Sequence, residues 1–180
     1  MQQYGIIVEQ YQLYLPTYMK IKTILLMVSI FFPASLFAST TACPLLDGIN
    51  VHTTKRVLNI CKHGVVIKTF QVALGYKGIG KKHTGDNKTP IGLYGLAHPR
   101  KSTQFKVFIP ILYPTSRQRA AGYTGRDVGI HGPTQSNKTF SWLNNLPSAT
   151  RGCVAVGKNN HIEYVANWVK AHPGAKVLII

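Results

Sequence analysis

The sequence predicts a mainly β domain closed by one packed helix near its C-terminus, and three observations predict it. Short runs rich in Val, Ile, Leu and Phe alternate with turn-forming clusters along most of the chain. Glycine (16) and proline (10) are frequent enough to supply those turns. A single segment, after Asn160, carries apolar residues at clear helical spacing. With 180 residues, 45% apolar and 14% charged, the chain has material for one domain with its own core rather than for two.

The N-terminal part reads differently. Residues 1–18 hold no Lys or Arg. Met19-Lys20-Ile21-Lys22 is a short basic start, Thr23 to Phe37 an apolar stretch, and Ala38 to Ala42 a small-residue run, the three-part pattern of an export signal. The stretch is short for a membrane span and contains Pro33, so no transmembrane helix is expected in the mature form. Residues 1–42 are therefore expected to be an extension and export signal, with translation starting at Met19, and residues 43–180 the folded domain.

Within that domain, residues 48–52 and Val57 to Cys61 are expected to pair across a turn at Thr53 to Lys55. Val65 to Leu74 follows after the turn signal Lys62-His63-Gly64. Here Val66, Phe70, Val72 and Leu74 alternate with Ile67, Thr69, Gln71 and Ala73, the period of a pleated strand. The glycine-rich stretch Gly75 to Gly85 leads through Asp86-Asn87-Lys88-Thr89-Pro90 to a strand at Ile91 to Leu96, not to a helix, so it reads as a structural turn and not as a phosphate cradle. Lys106 to Tyr113 is a further strand, ended by Pro114. Thr115 to Arg126 is polar and basic and reads as a mobile loop. Asp127 to His131 is a short strand, and Pro133 to Ser148 an insertion-like loop carrying Trp142. The helix is expected to be capped by Asn160 with Glu163 completing a capping box, and Ile162, Val165, Ala166 and Val169 form its buried stripe. Pro173-Gly174 stops it before a last strand, Lys176 to Ile180.

Composition excludes several chemistries. The formal charge is +16, and after residue 42 only Asp47, Asp86, Asp127 and Glu163 are acidic. Mechanisms built on two convergent carboxylates are disfavoured, because no two of these acids lie within thirty residues of each other. The basic surface suits polyanions, and export argues against nucleic acid in favour of an anionic envelope. No Cys-x-x-Cys pair or His-Glu-x-x-His helix is present, so no metal site is expected. His52, His63, His83, His98, His161 and His172 stand in no partner pattern and read as surface or turn residues.

Three cysteines in an oxidising compartment leave one free, paired between molecules or modified. The economical assignment pairs Cys43 with Cys61 and leaves Cys153 as a thiol; lipidation of Cys43, which follows a small-residue run, is the alternative. The segment Thr150-Arg151-Gly152-Cys153-Val154-Ala155-Val156 sets the thiol after a glycine, where a tight turn can aim backbone N–H groups at one spot. A thiol must ionise to attack, and an imidazole beside it helps it do so. His131, at the end of a strand beside Gly132, is the best-placed base. Spacing alone leaves open the other reading, a structural cysteine in a strand of Val and Ala.

Ile130-His131-Gly132, followed at a distance by Thr150-Arg151-Gly152-Cys153, resembles the signature of the L,D-transpeptidase (YkuD-type) catalytic domain. Gly85 through Tyr94 resembles the family's Thr-Pro-x-Gly-x-Tyr stretch, and Phe105 through Pro114 the strand before its lid. The likeness runs over about residues 48–180. It implies a β-sandwich-like fold and cofactor-free acyl transfer on peptidoglycan stem peptides, at the bond after meso-diaminopimelate, through a thioester. By position, Cys153 matches the nucleophile and His131 the base, with the Gly132 carbonyl orienting the imidazole. Backbone N–H groups of Gly152 and Cys153, with Arg151, match the oxyanion hole, and Thr150 a hydrogen bonder behind the nucleophile. Many members carry Arg two positions after the nucleophile, where this chain has Ala155. The Thr-x-Gly-Cys-Val-Ala-Val form ending at Val156, with the helix carrying Ile162 and Glu163, instead resembles the branch of murein–lipoprotein-releasing enzymes, in which water resolves or directs the chemistry.

The resemblance thus implies a periplasmic or envelope enzyme that passes the acyl group to an amine. The alternatives are an L,D-carboxypeptidase or endopeptidase that passes it to water, a wall-attached protein being one conceivable partner, and a non-catalytic peptidoglycan-binding module.

Overall fold

The computed structural model describes residues 41–134 and 148–180. Most of the expected export signal, and Trp142 with most of its loop, lie outside the described residues. Ten strands form one sheet: β1 (Gly48–His52), β2 (Val57–Lys62), β3 (Val65–Gly75), β4 (Gly92–Gly95), β5 (Arg100–Ser102), β6 (Lys106–Pro110), β7 (Gly129–His131), β8 (Ser148–Thr150), β9 (Val154–Val156) and β10 (Lys176–Ile179). Their order is β4-β10-β1-β2-β3-β9-β7-β6-β5, with β8 beside β3. Beyond β4, Leu96 bridges to Ile111 just past β6, and Leu112 N–H donates to the Gly95 carbonyl at 2.9 Å. Distant parts of the strand order therefore meet, and the sheet folds over one core.

The period-two pattern in β3 sorts as predicted for Phe70, Val72 and Leu74, which are buried, and for Ile67, Thr69 and Gln71, which are exposed; Val66 is only partly buried, and Ala73, expected on the outer face, is buried as well. The expected hairpin of β1 and β2 forms in the register Gly48↔Cys61 to His52↔Val57. It brings Cys43 to Cys61, and the two form a disulfide with Cα atoms 6.0 Å apart, 18 residues apart in the chain. A loop of that length gains about 3 kcal/mol from closure. Replacing both cysteines with serine should lower the unfolding free energy by about that amount in urea titrations and leave the thiol chemistry of Cys153 unchanged.

Among the described residues, two helices join the sheet, α1 (Ser116–Ala120) and α2 (Asn159–Ala171). The stripe of α2 buries Ile162, Val165, Ala166 and Val169 as expected, with Trp168 added, against β6 and β9. Its cap is Lys158, not Asn160: Lys158 is extended and its carbonyl accepts from the N–H groups of His161 and Ile162, which puts Asn160 inside the first turn. No side chain caps this end.

The segment expected as a mobile loop, 115–126, contains α1. Thr115 Oγ1 accepts from the Gln118 N–H while Gln118 Oε1 accepts from the Thr115 N–H, a complete capping box. Gln118 Nε2 also donates to Tyr94 Oη at 2.9 Å, tying the segment to the core. Strand β7 starts at Gly129 and not at Asp127, because Asp127 takes φ 58°, outside the extended region.

Candidate active site

Strand pairing builds one wall of the site. In consecutive registers Arg100 lies opposite Phe108, Phe108 opposite His131 and His131 opposite Ala155, so these four side chains share one face of β5, β6, β7 and β9. All four line a cleft of about 630 Å³ that also contains Cys153 and Phe105. Strands β7 and β9 are parallel neighbours, and Cys153 stands immediately before β9. Pairing of Ile130 with Val154 thus places the thiol beside Gly129 and one step along from the imidazole.

The turn that presents Cys153 is held from behind. Thr150 Oγ1 donates to the Cys153 carbonyl at 2.7 Å and accepts from the Gly152 N–H at 3.1 Å. Thr89 Oγ1 reaches the same carbonyl at 3.5 Å while it accepts from the Gly75 N–H at 2.8 Å. Gly152 has φ 125°, and a Cβ there would sit 2.7 Å from the Lys88 carbonyl oxygen, so only glycine fits. Thr150 thus hydrogen-bonds both Gly152 and Cys153 within the turn. The Gly152 N–H, expected as an oxyanion donor, is engaged with Thr150 Oγ1. Arg151 is exposed and lines the cleft. Gly132 is buried, and a Cβ there would meet Ile162 Cγ2 of α2 at 2.7 Å.

His131 is 5% exposed. Its Nδ1 lies 2.7 Å from the Gly132 carbonyl oxygen. A carbonyl can only accept, so Nδ1 carries the proton and Nε2 is left as the basic nitrogen. Phe105 stacks on the ring with centroids 3.8 Å apart, and Phe108 lies 6.4 Å away, nearly parallel. Burial pushes the His131 pKa from 6.5 down to about 4, against the upward pull of the Gly132 bond. The ring is neutral at physiological pH.

Half-buried Cys153 donates from Sγ to the Asp127 carbonyl at 3.6 Å. Burial pushes its thiol up; the Gly129 N–H and the Lys81 charge pull it down, and Asp127 pushes it up. The resting pair is thus a thiol and a neutral imidazole. A second cavity, of about 520 Å³, reaches Cys153 from the side of the glycine-rich loop and contains Tyr76, Lys81, Asn87, Arg126 and Gly152. Asp127 and Arg151 border both.

The buried neutral ring makes stability pH-dependent. Between pH 6.5 and about 4 the unfolded chain binds a proton that folded His131 does not, so stability falls as pH is lowered through that window, by roughly 3 kcal/mol in all, and levels off below it. Burial would raise the Asp86 carboxyl, but bonds from Lys81, His83, Lys82 and Lys88 hold it well below the usual range. Its contribution is therefore present above its ordinary value of 3.8 and lost only below it, outside the histidine window. Urea titrations at pH 7 and 4.5 should show the loss in the native chain and much less of it in His131→Ala.

Sequence reading missed three groups here. Phe105 covers the imidazole, Thr89 supports the turn at Cys153 and Lys81 stands in the second cavity; the Thr89-Pro90 pair was the one visible signal. His161 and His172 pack instead against Phe70 (4.9 Å) and Trp168 (4.2 Å). Among the described residues, no three His, Cys, Asp or Glu side chains gather as metal ligands would, and no helix is long and apolar enough to cross a membrane.

The model of the YkuD family, the L,D-transpeptidase catalytic domain, matches residues 47–179. No curated protein matches the chain in sequence. Among solved structures, the helical cell shape determining protein Pgp2 from Campylobacter jejuni is 23% identical, with a TM-score of 0.60, covering 73% of this chain and 46% of that one. Bd1075 of Bdellovibrio bacteriovorus is 21% identical, with a TM-score of 0.55, covering 75% and 48%. These likenesses bear on the fold, and the chain spans about half the length of both proteins.

Proposed function

This chain belongs to the L,D-transpeptidase catalytic-domain family, and from that premise we propose that it transfers acyl groups on peptidoglycan stem peptides, with Cys153 as nucleophile and His131 as base. The observation that carries the reading is the pairing of β7 with β9. It sets a thiol and an imidazole in one cleft, with the imidazole proton held on Nδ1 and Nε2 left free to accept.

Nε2 takes the thiol proton as the sulfur attacks the carbonyl that joins the L-centre of meso-diaminopimelate to D-alanine. The oxyanion of the tetrahedral intermediate is met by backbone N–H groups of Cys153 and Arg151, since that of Gly152 is engaged. The imidazolium returns its proton to the departing amine, which leaves a thioester on Cys153. The same nitrogen then deprotonates the acceptor, and the thiol is regenerated.

An amine acceptor gives transpeptidation. Water gives an L,D-carboxypeptidase or endopeptidase, and the second cavity supports that reading as well, because it gives the half-buried sulfur another approach. Incubation with a labelled tetrapeptide, with and without an amine acceptor, separates the two. Cross-linked product requires transfer, and hydrolysis alone in both tubes excludes it. A carbapenem should add its mass to Cys153; a folded, reduced sample that takes no adduct would favour a binding module. The export signal supports a site of action in the periplasm or envelope.

A further inference from the structure

Lys81 is a lysine with only 5% of its side chain exposed. Its stem runs beneath the nucleophile turn: a Cβ added to Gly152 would come 3.9 Å from Lys81 Cδ, and one added to Gly125 would come 3.0 Å from its Cε. The ammonium donates to Asp86 Oδ1 at 2.8 Å and to the His83 carbonyl at 2.9 Å. Asp86 is gripped in turn by the N–H groups of Lys82, His83 and Lys88. Tyr113 Oη donates to the Lys81 carbonyl at 3.1 Å. Both ends of the residue are fixed, and it shares a cavity with Gly152 and Cys153.

We propose that Lys81 is a positioning residue whose anchored ammonium biases the Cys153 sulfur toward the thiolate. The proposal rests on Cys153 being the nucleophile. The ion pair with Asp86 is neutral overall, so its direction decides its effect. Of its two charges, that of Lys81 falls on Cys153, whereas that of Asp86 falls on Tyr113, whose hydroxyl burial, Tyr94 and Asp86 together push up to about 12. Lys81, and not Asp86, lines the cavity that also holds Cys153. The other groups around Cys153 do not replace it. His131 is neutral until the proton moves, Asp127 has the opposite sign, and Arg126 and Arg151 are exposed, where water screens them.

The test is the rate of Cys153 alkylation by iodoacetamide against pH in the full chain, read by mass, the other two cysteines being tied in their disulfide. Lys81→Met should move the midpoint up by about one pH unit, and Lys81→Arg should restore most of it. A folded Lys81→Met with the native midpoint, even if less stable, overturns the proposal and leaves Lys81 a structural clamp. If Lys81→Met does not fold, Asp86→Asn, which keeps the cation and removes its counter-charge, should move the midpoint down, and no movement overturns it too. Retained turnover in Cys153→Ala would defeat the functional reading instead, and the alkylation midpoint is measured independently of turnover.

Discussion

Cys153→Ala is expected to abolish turnover of a diaminopimelate-containing tetrapeptide while the domain stays folded. No other free thiol exists among the described residues, and without sulfur no thioester can form. The fold should tolerate the change because Cys153 is half-buried and its sulfur makes only weak bonds, a donation to the Asp127 carbonyl at 3.6 Å and a contact with the Gly129 N–H. The turn around it is held by main-chain atoms, Thr150 and Thr89 bonding the carbonyl of residue 153, which alanine keeps. The unfolding free energy should change by no more than about 1 kcal/mol. Product release measured by mass, beside a denaturation curve, checks both halves; turnover at the native rate would remove the cysteine from the mechanism.

His131→Ala should lower kcat by about 10³-fold with little change in KM, since the lost group acts on a proton and not on substrate binding. The buried ring with its pKa near 4 makes a particular form of this expectation. In the native chain, the acid limb of kcat/KM should fall close to pH 4 and not near the 6.5 of an exposed imidazole. That limb should vanish from whatever activity remains in the variant. An acid limb near 6.5 in the native chain would mean that Phe105 does not cover the ring in solution.

Much of the fold was legible because its signals are local. The alternation in β3, the stripe of α2 and the turns around residues 53–55 and 62–64 each depend on residues a few positions apart. One local signal was passed over. Thr115 and Gln118 have the spacing of a capping box, but with basic residues and glycine around them the segment read as a loop, and α1 forms there. The opposite error occurred at Asn160, a good cap by residue type that lies two residues past the observed cap, Lys158, inside the first turn of α2. Strand β5 is three polar residues long, and it is a strand only because β6 pairs with it.

The sequence by itself determined which thiol and which imidazole are candidates for the chemistry, their order in the chain and the glycine that lets the turn at Cys153 form. Tertiary structure alone decided their states. The basicity of His131 depends on burial under Phe105, 26 residues away in the chain; the Gly152 N–H is taken by Thr150; the cation in the cavity beside the sulfur comes from Lys81. Residue type sets which protons can move. Burial and through-space charge set when they do, and both arise from neighbours that are distant in sequence.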